Sequence, residues 1–299
     1  MIPTLQQLRN RLTPLYDENE ARAIVQHLLE VGFGLTLTDI ICGRLQQMTD
    51  DDAERLEEMM HRLTLGEPLQ YVLGKADFCG RTFHVEPGVL IPRPETEELC
   101  RWITHDMTAS NSLSATSTTF RNTPSPTLLD IGTGSGCIAV TLALNLPHTQ
   151  VTAWDLSTDA LRIATRNAQD LQAGVNFIPQ DALHAPNDTA RWDVIVSNPP
   201  YICNKERADM AVNVLENEPG MALFVPDNDP LLFYHAIARY ARQALNPGGK
   251  LYFEINPLYA DEMKAMLEEE GMSEVITQKD AYGKMRMMRT TKKDTYDRT

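Results

Sequence analysis

Thr127-Leu128-Leu129-Asp130-Ile131-Gly132-Thr133-Gly134-Ser135-Gly136-Cys137 is the stretch that decides the fold. A short apolar run leads straight into alternating glycines, and a second apolar run, Cys137 to Leu146, follows until Pro147 stops it. This reads as strand, tight turn, helix. The same rhythm continues downstream. Val151–Trp154 and Val175–Ile178 are expected strands with a helix between them, and Trp192–Val196 is another. Asp229 is expected to cap a helix with Pro230 at its first position, and Asn246-Pro247-Gly248-Gly249 to turn that helix into strand Lys250–Ile255. A helix over Tyr259–Glu270, stopped by Gly271, and two short strands near Val275 and Met287 close the pattern. Strands separated by helices of this length predict an α/β fold with a parallel, doubly wound sheet.

The chain before this region has a different texture. Leu5, Leu8 and Leu12 recur at helical spacing, as do Ala21, Ile24, Val25, Leu28 and Leu29, and later Leu56, Met59, Met60 and Leu63. Thr49 before Asp50-Asp51-Asp52 has the form of a helix cap followed by charges suited to the positive end of the dipole. Residues 1–75 are therefore expected to form a small helical domain without catalytic side chains. Phe78, Phe83, Val85, Val89 and Ile91, broken by Gly80 and Pro87-Gly88, predict a β-hairpin linker over residues 76–92. The main domain then spans residues 93–299. Within it, His105–Thr127 is rich in Ser, Thr and Asn and reads as a mobile surface loop, and the segment from Met285 ends in a charged tail expected to fray.

Composition narrows the function. The net charge of −14 disfavours a duplex DNA substrate, which normally meets clustered Lys and Arg, and fits a protein partner better. No apolar run nears the ~20 residues of a membrane span, and Met1–Glu20 lacks the apolar segment of a signal peptide, so a cytoplasmic location is expected. The scattered Cys and His residues show no metal-ligand spacing, and no metal is expected.

Ligands of an open parallel sheet bind beyond the C-terminal strand ends, near the point where strand order reverses. Gly132, Thr133, Gly134, Ser135 and Gly136 fall there, and glycines leave backbone free to approach a nucleoside cofactor. Asp155 ends the next strand, where its carboxylate either accepts both ribose hydroxyls or caps the following helix. Asp181 is placed to meet an adenine amino group, with Ala182 beside it. An NAD enzyme shares this logic, but its Gly-x-Gly-x-x-Gly spacing is absent, and it leaves Ser197-Asn198-Pro199-Pro200-Tyr201 unexplained. That turn is either only rigid or a site for a planar NH2 group. In the second reading the Asn198 oxygen and Pro199 carbonyl accept its hydrogens, two prolines hold them in place, and the Tyr201 ring packs against the group. Together the motifs point to methyl transfer from S-adenosylmethionine to an amide or amino nitrogen.

Several segments together resemble the release-factor glutamine N5-methyltransferases (PrmC/HemK family). They are Gly66-Glu67-Pro68-Leu69-Gln70-Tyr71, Phe78 to Gly80, Leu90-Ile91-Pro92-Arg93-Pro94-Glu95-Thr96-Glu97, the glycine loop, Asn198–Tyr201, Glu218-Pro219 with Ala222-Leu223, and Asp280 with Gly283 and Arg286. The likeness runs from about Leu63 to Met288. It implies a class I (Rossmann-like) S-adenosylmethionine-dependent methyltransferase domain, with an N-terminal helical domain that recognises the substrate and is joined by the hairpin. It also implies a substrate, the glutamine of the Gly-Gly-Gln motif in bacterial peptide chain release factors. Cofactor contacts then fall on Gly132–Gly136, Asp155, Ala182 and Asn198, and substrate contacts on Asn198, Pro199, Pro200 and Tyr201. Two positions depart from the family pattern. Ala182 stands where some relatives have an aromatic residue, and Asn256-Pro257 where the family often has glycine and then glutamine. A sibling family that methylates a large-subunit ribosomal protein carries a Pro-Arg-Ser-type segment instead. Adenine-N6 DNA methylation and a non-catalytic cofactor-sensing module are the remaining alternatives.

Overall fold

The computed structural model describes residues 2–114 and 125–293. They form two compact units, one from residues up to 76 with 85–87 and 210–218, the other from 77–84, 88–209 and 219 onward.

The first unit is helical: α1 (Leu5–Leu12), α2 (Glu18–Phe33), α3 (Leu37–Ile41), α4 (Asp50–Thr64) and α5 (Leu69–Leu73). Its core is the apolar face read from the spacing, with Leu8, Leu12, Val25, Leu28, Leu29 and Met60 all excluded from solvent. Thr49 caps α4 by accepting from the Asp52 amide, and the three aspartates fill its first turn. The conspicuous Gly66-Glu67 segment has a structural role here. Glu67 receives a two-pronged hydrogen bond from Arg62 at 2.7 and 2.6 Å, and the same guanidinium reaches the Tyr71 carbonyl.

Hairpin strand β1 (Lys75–Phe78) begins in the first unit and ends in the second, where β2 (Arg81–His84) and α6 (Pro94–Ser114) follow. There follow β3 (Thr127–Ile131), α7 (Cys137–Asn145), β4 (Gln150–Asp155), α8 (Thr158–Asp170), β5 (Val175–Pro179), β6 (Trp192–Ser197) and the short β7 (Ile202–Cys203). Helix α9 (Val212–Asn217) belongs to the first unit. The chain resumes with α10 (Gly220–Leu223), β8 (Phe224–Val225), α11 (Leu232–Ala244), β9 (Leu245–Glu254), α12 (Ala260–Glu269), β10 (Met272–Lys279) and β11 (Met285–Lys292).

Seven strands form the main sheet in the order β10-β11-β9-β6-β3-β4-β5. The order reverses between β3 and β6. Side chains alternate between two cores, as a pleated sheet requires. On β6, Ile195 joins α11 and α12 in one core, while Val194 and Val196 join α6 and α7 in the other; Trp192, before a register shift in the strand, also lies in the first. The sheet is not wholly parallel. β11 pairs antiparallel with both β9 and β10, because the short Asp280–Lys284 link cannot make the crossover that a parallel pair needs.

Two further expectations are corrected. Residues 105–114 are helix, not loop. Tertiary contact overrides the weak helix formers: Asp106 accepts from Tyr252 at 2.8 Å and pairs with Arg289, and Met107 packs on the core. Residues 115–124 of that stretch lie outside the described residues. Asp229 does not cap α11, which begins at Leu232 without a side-chain cap, and Asp229-Pro230 form a preceding turn. The strand expected near Met287 is Met285–Lys292, with Met287 and Met288 buried, and the charged end beyond it lies outside the described residues.

Asn167 of α8 joins three parts of this unit. It accepts from the His84 amide at 2.7 Å and donates to the His84 carbonyl at 2.9 Å, as a neighbouring strand would. It also donates to the Ser135 carbonyl in the glycine loop at 2.8 Å. Replacing Asn167 with Ala strips these partners from buried groups. A loss of about 2–4 kcal/mol is expected in chemical denaturation.

Candidate functional site

Two strand ends make the site. Ile131 and Ser197 are partners in the β3–β6 ladder, and Ser197 Oγ donates to the Ile131 carbonyl at 2.6 Å. The glycine loop and the Asn-Pro-Pro turn therefore leave the sheet from adjacent positions. The Trp154 carbonyl, at the end of β4, receives both the Gly132 and Thr133 amides at 2.9 Å. Gly132, Gly134 and Gly136 have φ of 75°, 54° and 82°, so the loop doubles back in a conformation open to glycine. At Gly136 a Cβ would also sit 3.0 Å from that of Ala164, and loop and helix α8 close in because it is missing.

Acidic residues hold the loop from below and beside. Thr133 Oγ1 donates to buried Asp130 at 2.6 Å, and burial pushes that carboxyl up to about 7 despite the bond. Asp155 accepts from the Gly134 amide at 2.8 Å and from the Ser157 amide at 2.9 Å. Burial raises its pKa and the backbone bonds oppose the rise. Each oxygen keeps a second lone pair for a ligand hydroxyl. Asp155 thus steadies both the glycine loop and the approach to α8, whose own cap is Ser157. Asp181 accepts from the Leu183 amide at 2.8 Å and meets His184 Nδ1 at 2.6 Å, a bond that lowers its pKa.

A cavity of ≈ 370 Å³ joins these parts. Its lining includes Gly132, Thr133, Gly134, Ser135, Asp155, Asp181, Ala182, Asn198, Pro199 and Pro200. Thr96 lines it too, beside Asn198, whose Nδ2 donates to Thr96 Oγ1 at 3.3 Å. Behind them lies buried Glu254, which receives the Thr96 hydroxyl at 2.6 Å and the Tyr201 hydroxyl at 3.0 Å.

A release factor glutamine methyltransferase of Bacteroides thetaiotaomicron is 43% identical to the chain over 282 residues, covering 94% of this chain and 96% of that one. The chain belongs to this family. A second member, from Flavobacterium psychrophilum, is 39% identical over 93% of this chain and 94% of its own. Family models for the PrmC N-terminal domain and the Methyltransferase small domain match residues 4–74 and 111–223. Among solved structures, the Thermus thermophilus 16S rRNA N2 G1207 methyltransferase, in complex with AdoMet and guanosine, aligns with a TM-score of 0.52 at 20% identity. It covers 73% of this chain and 50% of that one, and supports the fold.

Two residues named from sequence stand outside the cavity lining of this methyltransferase. Gly136 opens α7, one step behind the loop. Tyr201 turns its hydroxyl inward to Glu254, and burial, then the neighbouring carboxylate, raises its pKa. Residues that sequence reasoning passed over complete the site. Thr96 sat inside a recognised segment with no role attached. Glu254 carried a clear signal, a lone acid in the apolar strand Leu251-Tyr252-Phe253-Glu254-Ile255. The departure at Asn256 also has an explanation. Its side chain donates to the Tyr201 carbonyl at 3.1 Å and to Glu206 at 3.2 Å, securing the chain just after the proline turn.

Asp130 yields a pH prediction. A pKa raised in the folded state makes that state hold its proton more tightly than the unfolded chain. Its stabilising contribution is complete below about 4 and is lost as pH rises towards about 7. Asp130→Asn removes this linkage. Its stability relative to the unchanged protein should climb across that window and level off above it, as read by urea denaturation at stepped pH.

Proposed function

We propose that this chain transfers the methyl group of S-adenosylmethionine to the side-chain amide nitrogen, N5, of the glutamine in the Gly-Gly-Gln motif of bacterial peptide chain release factors. The observation that carries this reading is one continuous cavity, bordered by the glycine loop and Asp155 on one side and by Asn198, Pro199 and Pro200 on the other.

The residues present fit the donor. Gly132 and Gly134 bring backbone to the cavity wall with no Cβ in the way, and Asp155 retains lone pairs for a pair of ribose hydroxyls. Asp181 and Ala182 lie at the next strand end, for the adenine. When bound, S-adenosylmethionine supplies a methyl group on an electron-poor sulfur. The rest is the task of the protein. An amide nitrogen is a weak nucleophile, since its lone pair is delocalised into the carbonyl. The Asn198 oxygen and the Pro199 carbonyl are assigned to accept its two hydrogens, aiming the lone pair and drawing off positive charge as the new bond forms. Pro199 and Pro200 restrict the turn, so little freedom is lost on binding. Alignment is the larger effect, worth on the order of 7–11 kcal/mol in well-oriented reactions. The methylated nitrogen, once it carries a positive charge, is strongly acidic and gives up a proton without a dedicated base. The helical unit of residues 1–75 is assigned to hold the release factor, with support from the match to the PrmC N-terminal domain.

The test is incubation with labelled S-adenosylmethionine and purified release factor, ribosomal protein or DNA, with mass mapping of the product. Label on the Gly-Gly-Gln glutamine is expected. Label only on the ribosomal protein or the DNA rejects the substrate assignment. Asn198→Ala should leave donor affinity nearly unchanged and slow transfer by about a hundredfold. Asp155→Ala should weaken donor binding in a calorimetric titration and change the chemical step less. Unaltered affinity there would remove the ribose role.

A further inference from the structure

The reading above leaves a question of direction. A carboxamide presents an oxygen on one side and an NH2 on the other, and only the oxygen can receive a glutamine amide hydrogen. Left alone, Asn198 could turn either end towards the cavity. We infer that a buried chain of hydrogen bonds, from Tyr201 through Glu254 and Thr96, holds the Asn198 oxygen towards the substrate, and that Thr96 and Tyr201 are positioning residues. This rests on the methyl-transfer reading and extends it to Thr96 and Glu254, which have no assigned part in that reaction, and gives Tyr201 a positioning part in place of a substrate contact.

Each link has one allowed direction. Arg286 can only donate. It is held by Asp280, whose carboxylate also accepts the Tyr282 and Lys284 amides at 2.9 Å, so the turn between β10 and β11 fixes it. Its positive charge lies near the Tyr201 phenol. The Tyr201 phenol donates its proton to Glu254 Oε1 at 3.0 Å. The second oxygen, Oε2, takes the Thr96 proton at 2.6 Å. Thr96 has one hydroxyl proton and has given it away. Towards Asn198 it offers only a lone pair. The amide end that meets it must be the NH2, at 3.3 Å, and the carbonyl end of Asn198 faces away from Thr96.

The chain also explains why Tyr201 follows the two prolines although its ring does not line the cavity. It is the second donor that a buried carboxylate needs. Glu254 is 2% exposed, and a charge so placed is costly unless its lone pairs are filled. The backbone carbonyl of Glu254 is occupied as well, by the Tyr234 hydroxyl at 3.0 Å. An acid held this firmly makes a rigid reference point for Thr96.

Thr96→Val keeps the shape and deletes the hydroxyl, while Thr96→Ser keeps the hydroxyl. With release factor as substrate, the Val variant should lose about tenfold in kcat, the worth of one orienting bond, with donor affinity retained and melting temperature lowered, since Glu254 is left with one hydroxyl donor. The Ser variant should be near the unchanged protein. In an Asn198→Ala background, Thr96→Val should cost nothing further, since the group it orients is gone. Full additivity of the two changes, or an unchanged kcat in the Val variant, overturns the inference. A second readout is independent of turnover. In protein with nitrogen-15 asparagine, the Asn198 side-chain NH2 signal, identified by its loss in Asn198→Ala, should exchange slowly with water and become fast in Thr96→Val. If its exchange is the same in both, the positioning role is wrong whatever the assay gives. If the signal responds as expected and release factor is not methylated, the substrate reading fails and the positioning role stands.

Discussion

The register between β3 and β6 is the constraint on which this protein depends. Ile131 and Ser197 lie opposite each other at the point where strand order reverses, and the short bond from Ser197 Oγ to the Ile131 carbonyl ties the two strands at their last paired residues. One strand then releases a glycine loop and the other an Asn-Pro-Pro turn. Because both leave from one rung of the ladder, the space between them is a cavity and not two separate surfaces. A shift of one residue in either strand would turn Val194 and Val196 to the wrong core and carry Asn198 to the wrong side. The apolar faces of β6 therefore set the position of the reactive corner.

Around that corner, polar groups are buried only where they are filled. Asn167 uses both ends of its carboxamide on His84 and Ser135. Glu254 takes two hydroxyls, and Asn256 binds the Tyr201 carbonyl from behind. The two-residue parallel ladder of Ile202–Cys203 with Phe224–Val225 secures the segment that follows the turn. Preorganisation of this kind matters for an unreactive nitrogen, because acceptors that must be ordered on binding spend part of what they later contribute.

Much of this was legible in the residues. Alternating glycines after an apolar strand marked the nucleotide-binding end of an α/β sheet, and the leucine spacing of the first helices marked their core. Gly132–Ser135, Asp155 and Asn198 came from positions far apart in sequence and line one cavity. The misses share a cause. Helix α6 continues through Ser- and Thr-rich sequence because Asp106 finds Tyr252 and Arg289 far along the chain, which no local pattern reveals. The antiparallel edge follows from the length of one turn, and the start of α11 from a turn at Asp229-Pro230 that resembled a cap. Tyr201 was read as a face for substrate since an aromatic ring after two prolines gives no hint of the acid at Glu254. Hydrogen-bond direction is a property of the assembled network, and Thr96 acquires its role only there.

The most direct test is a crystal structure of the protein with S-adenosylhomocysteine and a release factor domain bearing an unmethylated Gly-Gly-Gln. The glutamine NH2 should lie within hydrogen-bond distance of both the Asn198 side chain and the Pro199 carbonyl, facing the sulfur, with Asn198 still joined to Thr96. A glutamine lodged elsewhere, or a corner between Asn198 and the glycine loop that protein side chains fill, would contradict the account.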